Sequence, residues 1–401
     1  MDINKLIELD SIAKESVKKY TKFRNLFYKL TNSKGKHFVG IVGPRGVGKT
    51  ILLKQLANYY KNSFYISVDT IDDDLFEIIK KLNETLKIKI FFLDEVHTYK
   101  NFDKELKMLY DVFETRNIKI FLTSSTALGM YKSKYDLSRR LLLKTLYPFS
   151  FMEYINFKYD KKIDNISSKD IYNKEIPVKY LQYSQYFYSY LKGDLMPFAL
   201  QEPDVLPLLK NILETVINKD IPKIEPITVD ETEIIKKLVR FIALSDVDGI
   251  NYTSISNNLK ITKYKAEQYL SLLERAFIVY RVFPKGTNVL KEPKILMALP
   301  YRLIYKDFTE CIGALREDFF ISTFWALNKK IFYLKSTTGK KTADYILEDN
   351  EDIAIEIGGK SKGRSQFKGL SLNKKIILAD SIDNNTKDKK PLFSIGFISQ
   401  E

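Results

Sequence analysis

The run Gly43-Pro44-Arg45-Gly46-Val47-Gly48-Lys49-Thr50 fits the spacing G-x-x-x-x-G-K-[ST] at every position. Glycines so placed let backbone N–H groups turn inward around phosphate oxygens. A helix opening at Lys49 and Thr50 adds the partial positive charge of its N-terminus. In such a loop Lys49 reaches the β- and γ-phosphates of ATP and the Thr50 hydroxyl ligates Mg²⁺. This chemistry calls for an acid at the end of a second buried strand, and Ile90-Phe91-Phe92-Leu93-Asp94-Glu95 supplies two. Asp94 is placed to hold the Mg²⁺ shell, and Glu95 to activate water for attack on the γ-phosphate. The pair favours hydrolysis over nucleotide binding alone and argues against a kinase of small substrates.

Positioning these groups requires strands that end at them. Residues 38–42, 63–68, 88–93 and 118–122 are short, apolar runs rich in β-branched and aromatic side chains, each followed by a helical pattern. Alternating βα units predict a parallel sheet with helices on both faces. Residues 1 to about 36 place apolar side chains at helical spacing and read as a helical lead-in. From 156 to 228 the pattern is helical, with many Lys and Tyr. Residues 229–300 form a smaller helical unit, and βα character returns over 301–401.

Composition narrows the chemistry. The chain has 401 residues, 45% hydrophobic and 29% charged, which suits two or three globular domains and excludes wholesale disorder. Its net charge of +15 favours a polyanionic partner, or else reflects Lys-rich faces that keep it in solution. A single cysteine, Cys311, excludes intrachain disulfides and multi-cysteine zinc sites, and two histidines make His-based triads poor candidates. The N-terminus meets acids before any long apolar stretch, and no run approaches a membrane span. The expectation is a cytoplasmic protein with no membrane partner.

Residues 253–280 read as a helix-turn-helix. Residues 253–259 make a short helix, Lys260-Ile261 the turn, and Thr262 the N-cap of a second helix with a buried stripe at Ala266, Tyr269, Leu270, Leu273 and Phe277. Lys263 and Lys265, at its N-terminal end, stand where a recognition helix meets DNA; in a packing module they would be a solvated face.

The combination of GPRGVGKT, FFLDEVH, FLTSSTA and DLSRRLLLKTLYPFSFMEY resembles the AAA-type ATPases widespread in archaea and bacteria. In that family an N-terminal ATPase is followed by a winged helix and a C-terminal domain resembling PD-(D/E)XK nucleases. The resemblance implies an α/β fold. It comprises a P-loop AAA-type parallel sheet (1–155), a helical lid (156–228), a winged helix-turn-helix (229–300) and a restriction-endonuclease-like α/β domain (301–401). It implies ATP and Mg²⁺ as cofactors. In additional-strand P-loop ATPases a polar residue at the end of the third strand contacts the γ-phosphate or the attacking water, a role for Ser125 or Thr123; a polar turn explains the same residues. Arg139 and Arg140 are candidates for a finger reaching a neighbouring subunit's γ-phosphate, which would need a homo-oligomer, or for a surface pair in salt bridges.

In the nuclease-like domain, Glu317, Asp344 and Glu356 fall where the family's Mg²⁺-binding carboxylates do, but its lysine position is occupied by Gly358. Lys360 or Lys362 could swing in from the following loop; otherwise the domain only binds. Lys360, Lys362, Arg364, Lys368, Lys374 and Lys375 follow with no acid between them, either a DNA-facing surface or a solvated one. Branched duplex is one expected substrate, because the domain resembles archaeal junction resolvases. The leading expectation is a Mg-dependent, ATP-hydrolysing protein associated with DNA in processing or recombination. The alternative is a nucleotide-dependent switch for a protein partner, with no DNA cleavage.

Overall fold

The four strand-like runs become β1 (Phe38–Val42), β2 (Ser63–Ser67), β3 (Ile90–Asp94) and β4 (Lys119–Ser124) in the computed structural model. The structure describes residues 3–33, 35–71, 73–99, 102–124, 139–286, 292–334, 343–349, 351–367, 370, 372–383 and 385–398. Its contacts divide the chain into two units, residues 1–148 and 149–401.

In the first unit a fifth strand, β5 (Leu141–Thr145), completes a sheet of order β2-β3-β4-β1-β5, with every pair parallel. Parallel strands covered on both faces read as continuous apolar runs, and β1 is buried at all five positions. β5 escaped the sequence reading because it lies at the sheet edge, where burial alternates and Lys144 interrupts the apolar pattern. The helical lead-in is two helices, α1 (Ile3–Ser16) and α2 (Asn25–Thr31). Helices α3 (Lys49–Tyr59), α4 (Leu75–Leu86) and α5 (Phe102–Phe113) follow β1, β2 and β3 in turn.

The second unit carries α6 (Val229–Leu244), started by a capping box between Thr228 and Glu231. Next come α7 (Tyr252–Leu259) and α8 (Lys263–Arg275), joined through Lys260 in the left-handed conformation. Thr262 caps α8 by accepting the Lys265 N–H at 3.2 Å. Ala266, Tyr269, Leu270 and Leu273 are buried along it, while Phe277 lies beyond its end at φ 63°. An antiparallel ribbon, β6 (Val279–Val282) with β7 (Lys294–Met297), comes after α8. Helix α9 (Phe308–Ala326) then precedes a sheet of order β12-β11-β10-β9-β8. Its strands are β8 (Lys330–Tyr333), β9 (Tyr345–Glu348), β10 (Asp352–Gly358), β11 (Lys374–Ala379) and β12 (Lys389–Pro391). The β8-β9-β10 pairs are antiparallel and the β10-β11-β12 pairs parallel.

Inside this unit the Arg302 guanidinium meets the Asp318 carboxylate at 2.8 Å, both side chains 1% exposed. It also donates to the carbonyls of Ile242, Ala243 and Ser245, using the unpaired C-terminal carbonyls of α6. No helix among the described residues is long and apolar enough to cross a membrane.

Candidate functional site

The loop between β1 and α3 is shaped by its glycines. Gly46 and Gly48 adopt φ of 82° and 86°, left-handed values that cost side-chain-bearing residues energy. Gly43 is required for space: a Cβ there would stand 2.1 Å from the Leu146 carbonyl oxygen. The Leu146 N–H in turn donates to the Val42 carbonyl at 2.8 Å, so the chain leaving β5 crosses directly over the first loop glycine. Pro44 and Val47 are buried, Arg45 half-buried and Gly46 exposed. Arg24, also buried, donates to the Val47 carbonyl at 3.2 Å and to the Tyr147 carbonyl at 2.9 Å, tying the loop to that crossing segment. Sequence reading missed Arg24, which carries no motif signal.

Lys49 is buried, its ammonium donating to the Gly43 and Pro44 carbonyls at 2.9 Å each. Gly48 caps α3 in the left-handed conformation, which puts Lys49 and Thr50 in its first turn. Glycine-opened backbone, a lysine inside the loop and a hydroxyl at a helix start are the donor set that a Mg²⁺–ATP complex needs, so these residues fit that group.

Asp94 ends β3 and is 2% exposed. The Tyr65 hydroxyl donates to its Oδ2 at 2.8 Å, and the Thr123 hydroxyl to its Oδ1. Thr123 also accepts the Glu95 N–H at 2.9 Å. Glu95 is held at φ 54°, ψ 41°, a turn that ends the strand and redirects its side chain. His97 Nδ1 stands 3.1 Å from Glu95 Oε2. Of the two candidates for the polar contact on β4, Thr123 joins both acids; Ser125 lies outside the described residues. Arg140 pairs with Asp111 of α5 at 2.9 Å and lies over the Tyr110 ring, while Arg139 is exposed.

In the second unit Glu317 comes from α9, Asp344 from just before β9, and Glu356 from within β10. Their charges interact, but each is engaged by the protein. Glu317 accepts from Lys294 Nζ at 2.8 Å and from the Tyr345 hydroxyl at 2.5 Å. The Ile357 N–H donates to Asp344 at 2.8 Å, and Lys362 Nζ lies 2.6 Å from Glu356. Burial, with Glu317 and Glu356 nearby, pushes the Asp344 carboxyl up to about 7. Among the described residues no group of three or more His, Cys, Asp or Glu side chains is arranged to hold a metal. Lys294 and Tyr345 thus engage Glu317, Lys362 engages Glu356, and a backbone N–H engages Asp344. Lys294, 8% exposed and also 2.7 Å from Asp248, went unnoticed because nothing in its local sequence marks burial.

Five of the cations expected to face DNA sit against an acid. Lys263 pairs with Glu292 at 3.0 Å, Lys265 with Glu231 at 2.5 Å and Lys360 with Asp383 at 2.6 Å. Lys362 pairs with Glu356 and Arg364 with Asp388. Lys368 lies outside the described residues. Within the acid-free stretch Lys360 and Arg364 meet acids that follow it in sequence, while Lys362 and Lys374 meet Glu356 and Glu351, which precede it.

The comparisons support an AAA-type P-loop domain that begins in the first unit. Residues 35–155 match the family model described as AAA domain, and residues 196–298 match that of a domain of unknown function. An uncharacterized protein of Methanocaldococcus jannaschii is 29% identical, over 92% of this chain and 84% of that protein. An uncharacterized protein of Haemophilus influenzae is 26% identical over 64% of this chain and 65% of its own length. Among solved structures, the Aeropyrum pernix ORC1 protein in complex with DNA aligns with a TM-score of 0.30 at 11% identity, covering 78% of this chain and 94% of that one. The Thermotoga maritima RuvB Holliday junction branch migration motor aligns with a TM-score of 0.26 at 15% identity, covering 70% of this chain and 90% of that one.

Proposed function

We propose that this protein is a Mg²⁺-dependent ATPase whose hydrolysis is coupled to DNA. The observation that carries the ATPase reading is the Asp94–Thr123–Glu95 linkage at the end of β3, in a sheet whose β1 leads into a complete phosphate loop. Thr50 and Asp94 would hold Mg²⁺, which when bound offsets charge on the β- and γ-phosphate oxygens. Lys49 exchanges its two loop carbonyls for phosphate oxygens. The Glu95 carboxylate takes the proton of the attacking water. Arg139, exposed, is available to a neighbouring subunit in a homo-oligomer, and the protein acts in the cytoplasm.

The DNA reading is supported by the net charge of +15. The elements α6–α8 with the β6–β7 ribbon suit a winged helix-turn-helix, and α9 with the mixed sheet suits a nuclease-like fold. Surface ion pairs such as Lys263–Glu292 are worth only about 0–1 kcal/mol, so phosphates can displace the acids. A second reading, a nucleotide switch for a protein partner, is favoured by the same pairing, since it lowers the number of unopposed cations.

Steady-state ATPase rates without DNA, with linear duplex and with a four-way junction separate the two, with Glu95→Gln as control. A several-fold rise with one DNA form, abolished in the control, supports coupling. A Glu95-dependent rate indifferent to DNA leaves the ATPase and moves the second role to a protein partner. Any metal-dependent cleavage that survives Asp344→Ala does not belong to this site.

A further inference from the structure

We propose that Tyr65 is a positioning residue for Asp94, and that it sets how strongly Mg²⁺ supports nucleotide binding. This rests on the nucleotide-binding reading above and extends it to a residue outside every motif.

β2 and β4 flank β3 in the sheet, and each sends one hydroxyl to the Asp94 carboxylate. The Tyr65 hydroxyl donates to Oδ2 at 2.8 Å and that of Thr123 to Oδ1. Two donors from opposite strands fix the plane of the carboxylate. An ionised carboxylate has about four lone-pair sites, so the remaining ones stay available to the waters of a metal shell.

Tyr65 is itself fixed. Its ring lies under Lys54 Nζ at 5.3 Å, and its backbone N–H donates to Asp10 Oδ1 at 2.8 Å. β2 is the edge strand, and Asp10 of α1 takes up an N–H on its outer side. Lys14 braces Asp10 at 2.8 Å and donates to the Ser63 carbonyl at 2.8 Å. A continuous polar path thus runs from α1 through Asp10, Tyr65, Asp94 and Thr123 to the Glu95 N–H. It begins in a helix that precedes the matched AAA domain.

The test measures affinity for a fluorescent ATP analogue in excess Mg²⁺ and in EDTA, on wild type, Tyr65→Phe, Thr123→Val, Thr123→Ser and Lys49→Ala. Tyr65→Phe keeps the buried ring, and an unchanged thermal midpoint shows that it folds. We expect the Mg²⁺-dependent gain to fall about tenfold in Tyr65→Phe and at least as much in Thr123→Val, with Thr123→Ser near wild type and affinity in EDTA unchanged. A gain in Tyr65→Phe equal to wild type, or larger because the hydroxyl competes with the metal shell, overturns the proposal. If wild type binds no analogue, or binds it identically in Lys49→Ala, the nucleotide reading fails, and this inference with it. Because the readout is binding, a change in hydrolysis alone does not count in its favour.

Discussion

The side chain of Lys362 lies across Gly358: a Cβ on that glycine would stand 2.7 Å from Lys362 Cδ, and the ammonium ends 2.6 Å from Glu356. A glycine in β10 thus makes room for a lysine from the following loop to reach a buried carboxylate. Of the two lysines expected to swing in, Lys362 does so and Lys360 pairs with Asp383. Lys362→Met strands a carboxylate that is 1% exposed, and should cost about 1–3 kcal/mol. Adding Glu356→Gln should recover most of that loss. Urea midpoints of the two single variants and the double variant measure the coupling; simple additivity would show that the pair contributes nothing.

At the nucleotide site, Glu95→Gln should retain ATP binding and lower the hydrolysis rate about 10²-fold or more, since only the proton acceptor is lost. Lys49→Ala should lose binding as well. A coupled phosphate-release assay and a nucleotide-binding titration read the two effects separately. Hydrolysis at the wild-type rate in Glu95→Gln would remove Glu95 from the chemistry.

Gly43→Ala should abolish nucleotide binding, because the added methyl would meet the Leu146 carbonyl oxygen at 2.1 Å, and backbone yields less readily than a side chain. At Gly48 a Cβ meets nothing within 4 Å, so Gly48→Ala should cost only the backbone strain of a left-handed residue, about 1–2 kcal/mol. Equal losses in the two variants would contradict this ordering.

Arg302→Met leaves Asp318 buried without its cation and frees three carbonyls at the end of α6. Breaking such a pair from one side costs about 3–5 kcal/mol. Denaturant unfolding, followed by the signal of Trp325 in α9, should report the loss. A midpoint close to wild type would show that the site collapses around the vacated space.

Lys390 is 1% exposed and donates to the Lys174 carbonyl, and burial pushes its ammonium down to about 8 from an ordinary 10.5. Below the lower value both folded and unfolded chains hold the proton. Between the two values the unfolded chain holds a proton that the folded one has released, so stability rises with pH across that window. Wild type should therefore gain on Lys390→Met as pH is raised from about 7.5 to 10. Urea midpoints that keep a constant difference would show that Lys390 titrates normally.

Much of the first unit could be read from the chain because its determinants are local. Gly43 to Thr50 carry their own turn chemistry, and the runs ending at Val42 and Asp94 are apolar because both faces of a parallel sheet are covered. The Thr262 cap and the stripe on α8 were legible for the same reason, as spacing within one helix. What the sequence could not disclose depends on which segments meet. Lys263, Lys265, Lys360, Lys362 and Arg364 look unopposed along the chain, yet each finds an acid brought in by the fold. Tyr65 resembles any strand aromatic until β2 lies beside β3 and its hydroxyl reaches Asp94. Motif and period are properties of neighbours in sequence and so are fixed before folding. The partner of a charge or a hydroxyl is set by strand order and packing, and these only the tertiary structure decides.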